Sequence, residues 1–549
     1  MSGKFCAGLA IVFGALYFFA LGRSNLGNPD EGRYAEIPRE MNAAHHWTTP
    51  RLDGVVYFEK PPLMYWVECV AQKVFGRSEF AVRTPVALIA LLGVLMTFAA
   101  VSRRFGSEAG LASGVVLGTS SFYAAFSHIL SLDLAVAILI SGTLFAFFVG
   151  VYEPPGPARR RLFYTMYACA ALATLTKGLI GVLLTGAVML LWLIVCKEWK
   201  RLRPLYLPSG LLLFAVIAVP WHILIARHNP RWAQFYFVHE QWDRFFTTTH
   251  NRTGPLYYFV PEVIPGIFPW FGFLFAALAV GRPRRRPDVW FFVLWAGFIF
   301  LFFSQSQSKL PGYILPVFPA LAALVGIWLA DARRAPEADA LRRTRAGLWC
   351  FAGFAWLLAI AVLVVVSDPL RFRLQSWQAE GLEPSAIGLA LILVAGGLTA
   401  ILAHRRRRLW GMIAAMALTG GLMVADLTFA MPYLIKPGTK GLAIEVSRLV
   451  QPGDMVFTYH EFFHDFPYYY GRTVGIVGFV GELEPENETS AVARSQFVSD
   501  GTFRALWDGP ARAFAVARKK DVRALFADPT FQYHLLGETT DHYLFSNRP

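Results

Sequence analysis

Asn28-Pro-Asp-Glu-Gly-Arg-Tyr-Ala-Glu-Ile-Pro-Arg-Glu40 follows directly on an apolar run, and a second charged knot, Tyr57-Phe-Glu-Lys-Pro-Pro62, precedes the next apolar segment. Charge this dense beside a membrane span is costly to desolvate, so it marks a site that handles a charged ligand. Acids beside an Arg–Lys pair suit a phosphate to hold and a group to activate. Arginine offers that phosphate a planar fork and lysine a point charge.

The runs around these knots set the fold class. Of 549 residues 55% are hydrophobic and only 16% charged, with mean hydropathy +0.44. Apolar runs long enough to cross a bilayer as helices lie near 5–22, 83–102, 108–127, 130–151, 162–177, 179–196, 207–226, 258–280, 289–304, 314–330, 347–367, 386–403 and 409–428. The expectation is an α-helical polytopic membrane protein with about thirteen transmembrane helices.

The net charge of +14 does not point to nucleic acid. Its clusters, Arg103-Arg104, Arg159 to Arg161, Lys197 to Arg203, Arg282 to Arg286, Arg333 to Arg345 and Arg405 to Arg408, fall in alternate loops. The positive-inside rule makes that side cytoplasmic and puts loops 23–82, 227–257 and 304–313 outside. The first apolar run shows no small-residue cleavage site and reads as an uncleaved helix. The five cysteines lie in or beside predicted spans and imply no disulfide framework.

Residues 1–434 thus form the membrane domain, including external loop 23–82 with its juxtamembrane helices, and 435–549 a small external α/β domain. There Met455–Tyr459, Thr473–Val477, Ala513–Ala517 and Tyr543–Ser546 read as strands, with short helices over Phe503–Trp507 and Asp521–Phe526. In the loop, Asn28 reads as an N-cap with Pro29 at the first helical position, opening a short helix along the membrane surface.

Asp30 and Glu31 in a first turn would stabilise the helix macrodipole in any case. Their company, Arg33, Tyr34, Glu36, Arg39 and then Glu59-Lys60, raises a chemical role. Asp133 ends Ser127-His-Ile-Leu-Ser-Leu-Asp133 at the external end of a span, where acids are functional candidates. Lys177, at the end of the next span, reads as a lysine snorkelling to lipid phosphates. His239-Glu-Gln-Trp-Asp-Arg244 sets a histidine and an arginine among aromatics, and Lys309 and Tyr313 stand at another helix end. His460 and His464 are four apart, without the HExxH order of a zinc protease. These groups all fall on the external side, which argues for a cavity at that interface rather than a mid-membrane transport path.

At these residues the chain resembles the lipid A aminoarabinose (4-amino-4-deoxy-L-arabinose) transferases, within the protein-mannosyltransferase-like GT-C glycosyltransferases. The likeness rests on Asp30–Met41, Pro50–Gly54, Tyr57–Pro62, Lys309-Leu-Pro-Gly-Tyr-Ile-Leu-Pro316 and Asp465-Phe-Pro-Tyr-Tyr469. It implies a monomeric bacterial inner-membrane enzyme that moves a sugar from undecaprenyl phosphate to a lipid A phosphate on the periplasmic face, a reaction tied to cationic-peptide resistance. No nucleotide cofactor is implied. Carried over by position, Asp30 is the principal catalytic acid and Asp133 a supporting one. Arg33, Tyr57, Lys60, Arg244 and Tyr313 line the carrier-phosphate cavity. Glu59, His239 and a C-terminal histidine, with His464 favoured over His460, match the family's structural zinc site. Gly32, where the family usually has threonine, and Phe466, where it has leucine, depart from the pattern without touching the implied chemistry. A relative moving another sugar, such as galacturonic acid, or glycosylating a protein hydroxyl fits the same motifs. A lipid-linked transporter predicts no dependence on Asp30, and a scaffold predicts no chemistry at all.

Overall fold

The computed structural model describes residues 2–236, 254–279, 281–368, 374–435, 437–483 and 490–549. The first part of the chain runs through α1 (Ser2–Phe18), α2 (Asp30–Ala43), strands β1 (Arg51–Leu52) and β2 (Val55–Val56), α3 (Leu63–Phe75), α4 (Glu79–Phe105), α5 (Ser107–Thr119), α6 (Ser121–Phe126), α7 (Leu132–Tyr152), α8 (Pro157–Lys177) and α9 (Ile180–Cys196). Two compact units result. One holds Met1–Leu21, Arg83–Ile223 and Tyr236–Leu434; the other holds Gly22–Val82, Leu224–Phe235 and Ile435–Pro549.

The first unit is helical. Among the described residues eight helices are long and apolar enough to cross a membrane, or nine if Val260–Gly266 and Phe271–Leu278, bent by 106°, form one span. This is a multi-pass membrane protein. The expected count of about thirteen is not reached by that measure, because hydropathy registers apolar residues however the chain bends. Run 108–127 breaks at Ser120 into α5 and α6, while α1 and α9 are short. Helix α7 is apolar on every face and almost wholly buried, as a helix at the centre of a bundle should be. Phe145 meets Trp295 edge-on at 5.1 Å, and Phe148 stacks on Phe291 at 5.0 Å.

The second unit joins the first loop to the C-terminal residues. β1 and β2 pair antiparallel around an Asp53-Gly54 turn. The C-terminal sheet has order β5-β4-β3-β6-β8-β7, built from β3 (Met455–Tyr459), β4 (Gly475–Val477), β5 (Phe497–Val498), β6 (Ala513–Arg518), β7 (His534–Glu538) and β8 (His542–Ser546). β3 is parallel to both β4 and β6, and β8 is antiparallel to β6. Phe457, Phe503, Trp507 and Phe545 lie in its core. The four expected strands are present within two residues of their ends, and β5 and β7 are additional. The chain turns back on either side of β3, and open α/β sheets place ligand sites at the carboxyl ends of such strands. The segment leaving that end is His460 to His464.

Candidate active site

In the second unit the site is built around Arg33. Its side chain is 5% exposed, against 59% for Asp30 one turn earlier. Nη1 donates to the Tyr57 hydroxyl at 3.1 Å. Nη2 pairs with Glu482 Oε2 at 2.9 Å and stands 3.6 Å from Asp30 Oδ1. The rings of Tyr34 and Tyr57 lie 5.6 and 5.9 Å from the guanidinium carbon. Burial alone would weaken this cation, but Tyr57, Glu482, Tyr34 and Glu59 hold its pKa above the ordinary value. Burial likewise pushes the Tyr57 phenol up, which keeps it neutral. The result is a fixed positive charge with an exposed carboxylate at its rim.

Glu482 was not legible in the sequence. It comes from a short loop after β4 that carries no motif, 449 residues beyond Arg33. Its second oxygen lies 2.7 Å from His464 Nε2, so one carboxylate links the arginine to the histidine.

The entry to α2 is also held differently from the expectation. Pro29 occupies the N-cap position, and no side chain caps the helix. Asn28 instead grips Asp465: Nδ2 donates to Asp465 Oδ1 at 2.5 Å, and Asp465 N–H donates to Asn28 Oδ1 at 3.0 Å. The buried Asp465 also accepts from the Thr439 N–H and hydroxyl at 2.8 and 2.9 Å. Glu31 through Met41 of α2 are all buried. Gly32 is where α2 meets this segment. A Cβ there would sit 2.5 Å from Asp465 N and 2.7 Å from His464 C, so a threonine cannot be placed without moving one of them. The departure at Gly32 therefore touches the backbone that carries His464.

Glu59 and Lys60 follow β2. Lys60 is buried, its Nζ 3.0 Å from Glu59 O and 3.3 Å from Glu59 Oε2. His239 and Arg244 lie outside the described residues. His460 pairs with Asp500 at 2.7 Å and stacks on Tyr459, separate from the Glu482–His464 pair. Among the described residues no group of three or more His, Cys, Asp or Glu is gathered as a metal cage.

The first unit holds a second polar cluster. Asp133 sits in the first turn of α7, its N–H bonded to the Ser131 hydroxyl at 3.1 Å. Lys177, at the end of α8, forms an ion pair with Asp133. Its Nζ also lies 4.3 Å from the centroid of the Tyr313 ring. The snorkelling reading of Lys177 is thus corrected: the amine turns inward to a carboxylate, an arrangement helix-end position alone does not reveal. Gly312 makes the approach possible, since a Cβ there would fall 2.6 Å from Asp133 Oδ2. Lys309 is spent elsewhere, donating to Ser306 O at 2.6 Å.

Comparison with known proteins follows the same residues. A model of the dolichyl-phosphate-mannose-protein mannosyltransferase family matches residues 59–223. An undecaprenyl phosphate-alpha-4-amino-4-deoxy-L-arabinose arabinosyl transferase of Proteus mirabilis is 34% identical over 322 residues, 58% of either chain. The corresponding protein of Edwardsiella ictaluri is 30% identical over 451 residues, covering 81% of this chain and 79% of that one. The crystal structure of ArnT from Cupriavidus metallidurans bound to undecaprenyl phosphate superposes with a TM-score of 0.87 at 30% identity, covering 98% and 97% of the two chains. The chain belongs to the undecaprenyl phosphate-aminoarabinose arabinosyl transferase family. It is a membrane glycosyltransferase, and the GT-C resemblance holds for nearly its whole length.

Proposed function

We propose that this transferase moves 4-amino-4-deoxy-L-arabinose from undecaprenyl phosphate to a phosphate of lipid A, at the periplasmic face of the bacterial inner membrane. The observation that carries the reading is Arg33: buried, oriented by Tyr57 and Glu482, and adjoining the exposed Asp30. Cleavage of a sugar–phosphate bond builds positive charge at the anomeric carbon and negative charge on the departing phosphate. A cation already fixed by its neighbours stabilises that growing charge without reorganising, which lowers the barrier more than it tightens ground-state binding. Arg33 takes this role, with Lys60 on the same carrier phosphate and Tyr57 beside it; the family resemblance assigns Arg244 and Tyr313 to carrier binding as well. Asp30 orients the acceptor, and a phosphate acceptor, already ionised, needs little help from a base. Asp133, held by Lys177, supports the acceptor side. The enzyme works as a monomer.

The zinc reading fits one feature of the site. Metal-bound histidines commonly donate their second ring N–H to a carboxylate, and His464 Nε2 faces Glu482 at 2.7 Å. Glu59, His464 through Nδ1 and His239 would hold the ion, which would brace the site rather than react.

The test is mass spectrometry of lipid A from cells that lack their own transferase but make the donor. Expression of this chain is expected to add a pentosamine mass, and expression of Asp30→Ala to add none. An unmodified lipid A with both proteins well expressed would shift the reading to another sugar or acceptor.

A further inference from the structure

The arginines at the opposite ends of several helices do more than set topology. Three of them surround a cavity of about 480 Å³, together with Glu337 and Trp410. Arg333 closes the Phe318–Arg334 helix, Glu337 opens the Glu337–Ser367 helix, and Arg407 and Arg408 lie between the Ser376–Arg405 and Leu409–Leu434 helices. The lining is firm. His404 Nε2 lies 3.1 Å from Leu341 O, which ties the turn to the neighbouring helix. Both guanidinium edges of Arg333 engage Glu108, and its carbon lies 5.7 Å from the Trp410 ring centroid. Arg407 is only loosely matched by Glu337, at 3.6 Å with both side chains more than half exposed. The side chain of Arg408 has no ion-pair or hydrogen-bond partner among the described residues. The cavity therefore keeps uncompensated positive charge, an aromatic wall and room for a ligand, at the level where four apolar helices begin or end.

A topology signal requires arginines near helix ends, but not arginines gathered along one open cavity with tryptophan in its lining. Basic pockets between transmembrane helices on the arginine-rich side hold anionic head groups, and tryptophan prefers the head-group layer. We infer that this cavity binds the phosphodiester head group of an anionic phospholipid, with Arg407 and Arg408 on the phosphate and Trp410 against the glycerol. The same chemistry would accept a free phosphate, so the experiment separates the two sources.

The full chain, purified in detergent, is titrated with diphosphatidylglycerol, phosphatidylglycerol, phosphatidylethanolamine or inorganic phosphate while its thermal unfolding is followed. The anionic lipids are expected to raise the Tm by several degrees and phosphatidylethanolamine to leave it unchanged. An Arg407→Gln/Arg408→Gln double variant should need at least tenfold more anionic lipid for the same shift, whereas Arg342→Gln, on the exposed face of a neighbouring helix, should match the parent. A shift produced by inorganic phosphate alone, and lost in the double variant, keeps the site and assigns it to the free anion. Equal responses from the double variant and the parent, or equal losses in Arg342→Gln, overturn the proposal. If the double variant does not fold, native mass spectrometry of Arg408→Gln decides the matter: undiminished co-purified anionic phospholipid would overturn it.

Discussion

At the start of α2, Asp30 is more than half exposed and Arg33 is shared among Tyr57, Glu482 and Asp30. Less than two turns on, Arg39 is clamped by both oxygens of Glu36 at 2.6 Å and donates to Gly471 O at 3.0 Å. Around that second arginine are two more buried acids. Glu40 accepts from Gly54 N–H at 2.8 Å and Asp53 from Val474 N–H at 2.9 Å. Three carboxyl groups thus share one guanidinium in a setting where unpaired charge is very costly. Burial, with Glu36 adding to it, pushes both Asp53 and Glu40 above the ordinary carboxylate range, so the knot balances itself by holding protons. The same kind of residue on the same helix serves two ends. Both arginines are buried; the first adjoins an exposed carboxylate, Asp30, that a ligand can reach, while the second has only buried acids around it and fastens the loop to the C-terminal domain.

The comparison breaks most visibly at the arginines. Arg39→Met should leave Glu36 buried and alone at a cost of about 3–5 kcal/mol, and is expected to yield little folded protein on size-exclusion chromatography. Arg33→Lys keeps the charge but loses the fork. It should purify normally while its turnover falls by roughly 10²–10³. Full turnover in Arg33→Lys, or normal folding of Arg39→Met, would erase the distinction between the two halves.

Protons offer the next test. A carboxyl group whose folded pKa lies above its unfolded one binds more protons in the native state between those two values. Stability contributed by Asp53 and Glu40 is therefore full below the usual carboxylate range and is lost as pH rises through their raised pKa values, by up to about 1.4 kcal/mol per pH unit for each proton. The Tm of the parent should fall as pH climbs from the mildly acidic range, and Asp53→Asn should flatten that slope. A parent Tm that rises over the same range would show that the knot is ionised. The smallest effect belongs to the second cluster. Gly312→Ala forces Asp133 or the Pro311–Val317 turn to move and should cost about tenfold in turnover through misplacement alone, with an unchanged Tm.

Much of this was readable beforehand, and the failures have a common cause. The helical membrane body, the C-terminal strands and the residues of the Asp30–Lys60 stretch follow from hydropathy, alternation and local charge, all of which are short-range signals. Lys177 and Glu482 were misread or missed because what decides their role is a partner far along the chain, Asp133 in one case and Arg33 with His464 in the other. Asn28 has the composition of a helix cap, yet Asp465 competes for its amide and wins with two hydrogen bonds. The expected count of about thirteen spans is not confirmed, since a turn within an apolar run, such as that at Ser120, divides it into helices too short to count by length.

That grip of Asn28 on Asp465, which Thr439 holds in turn, bears on how the protein is made. The loop carrying Asp30 and Arg33 leaves the ribosome well before its fastenings at residues 465 and 482. Through most of synthesis the first loop lacks the groups that orient its arginine. Competence therefore arrives in one late step, when the C-terminal segment closes on the loop.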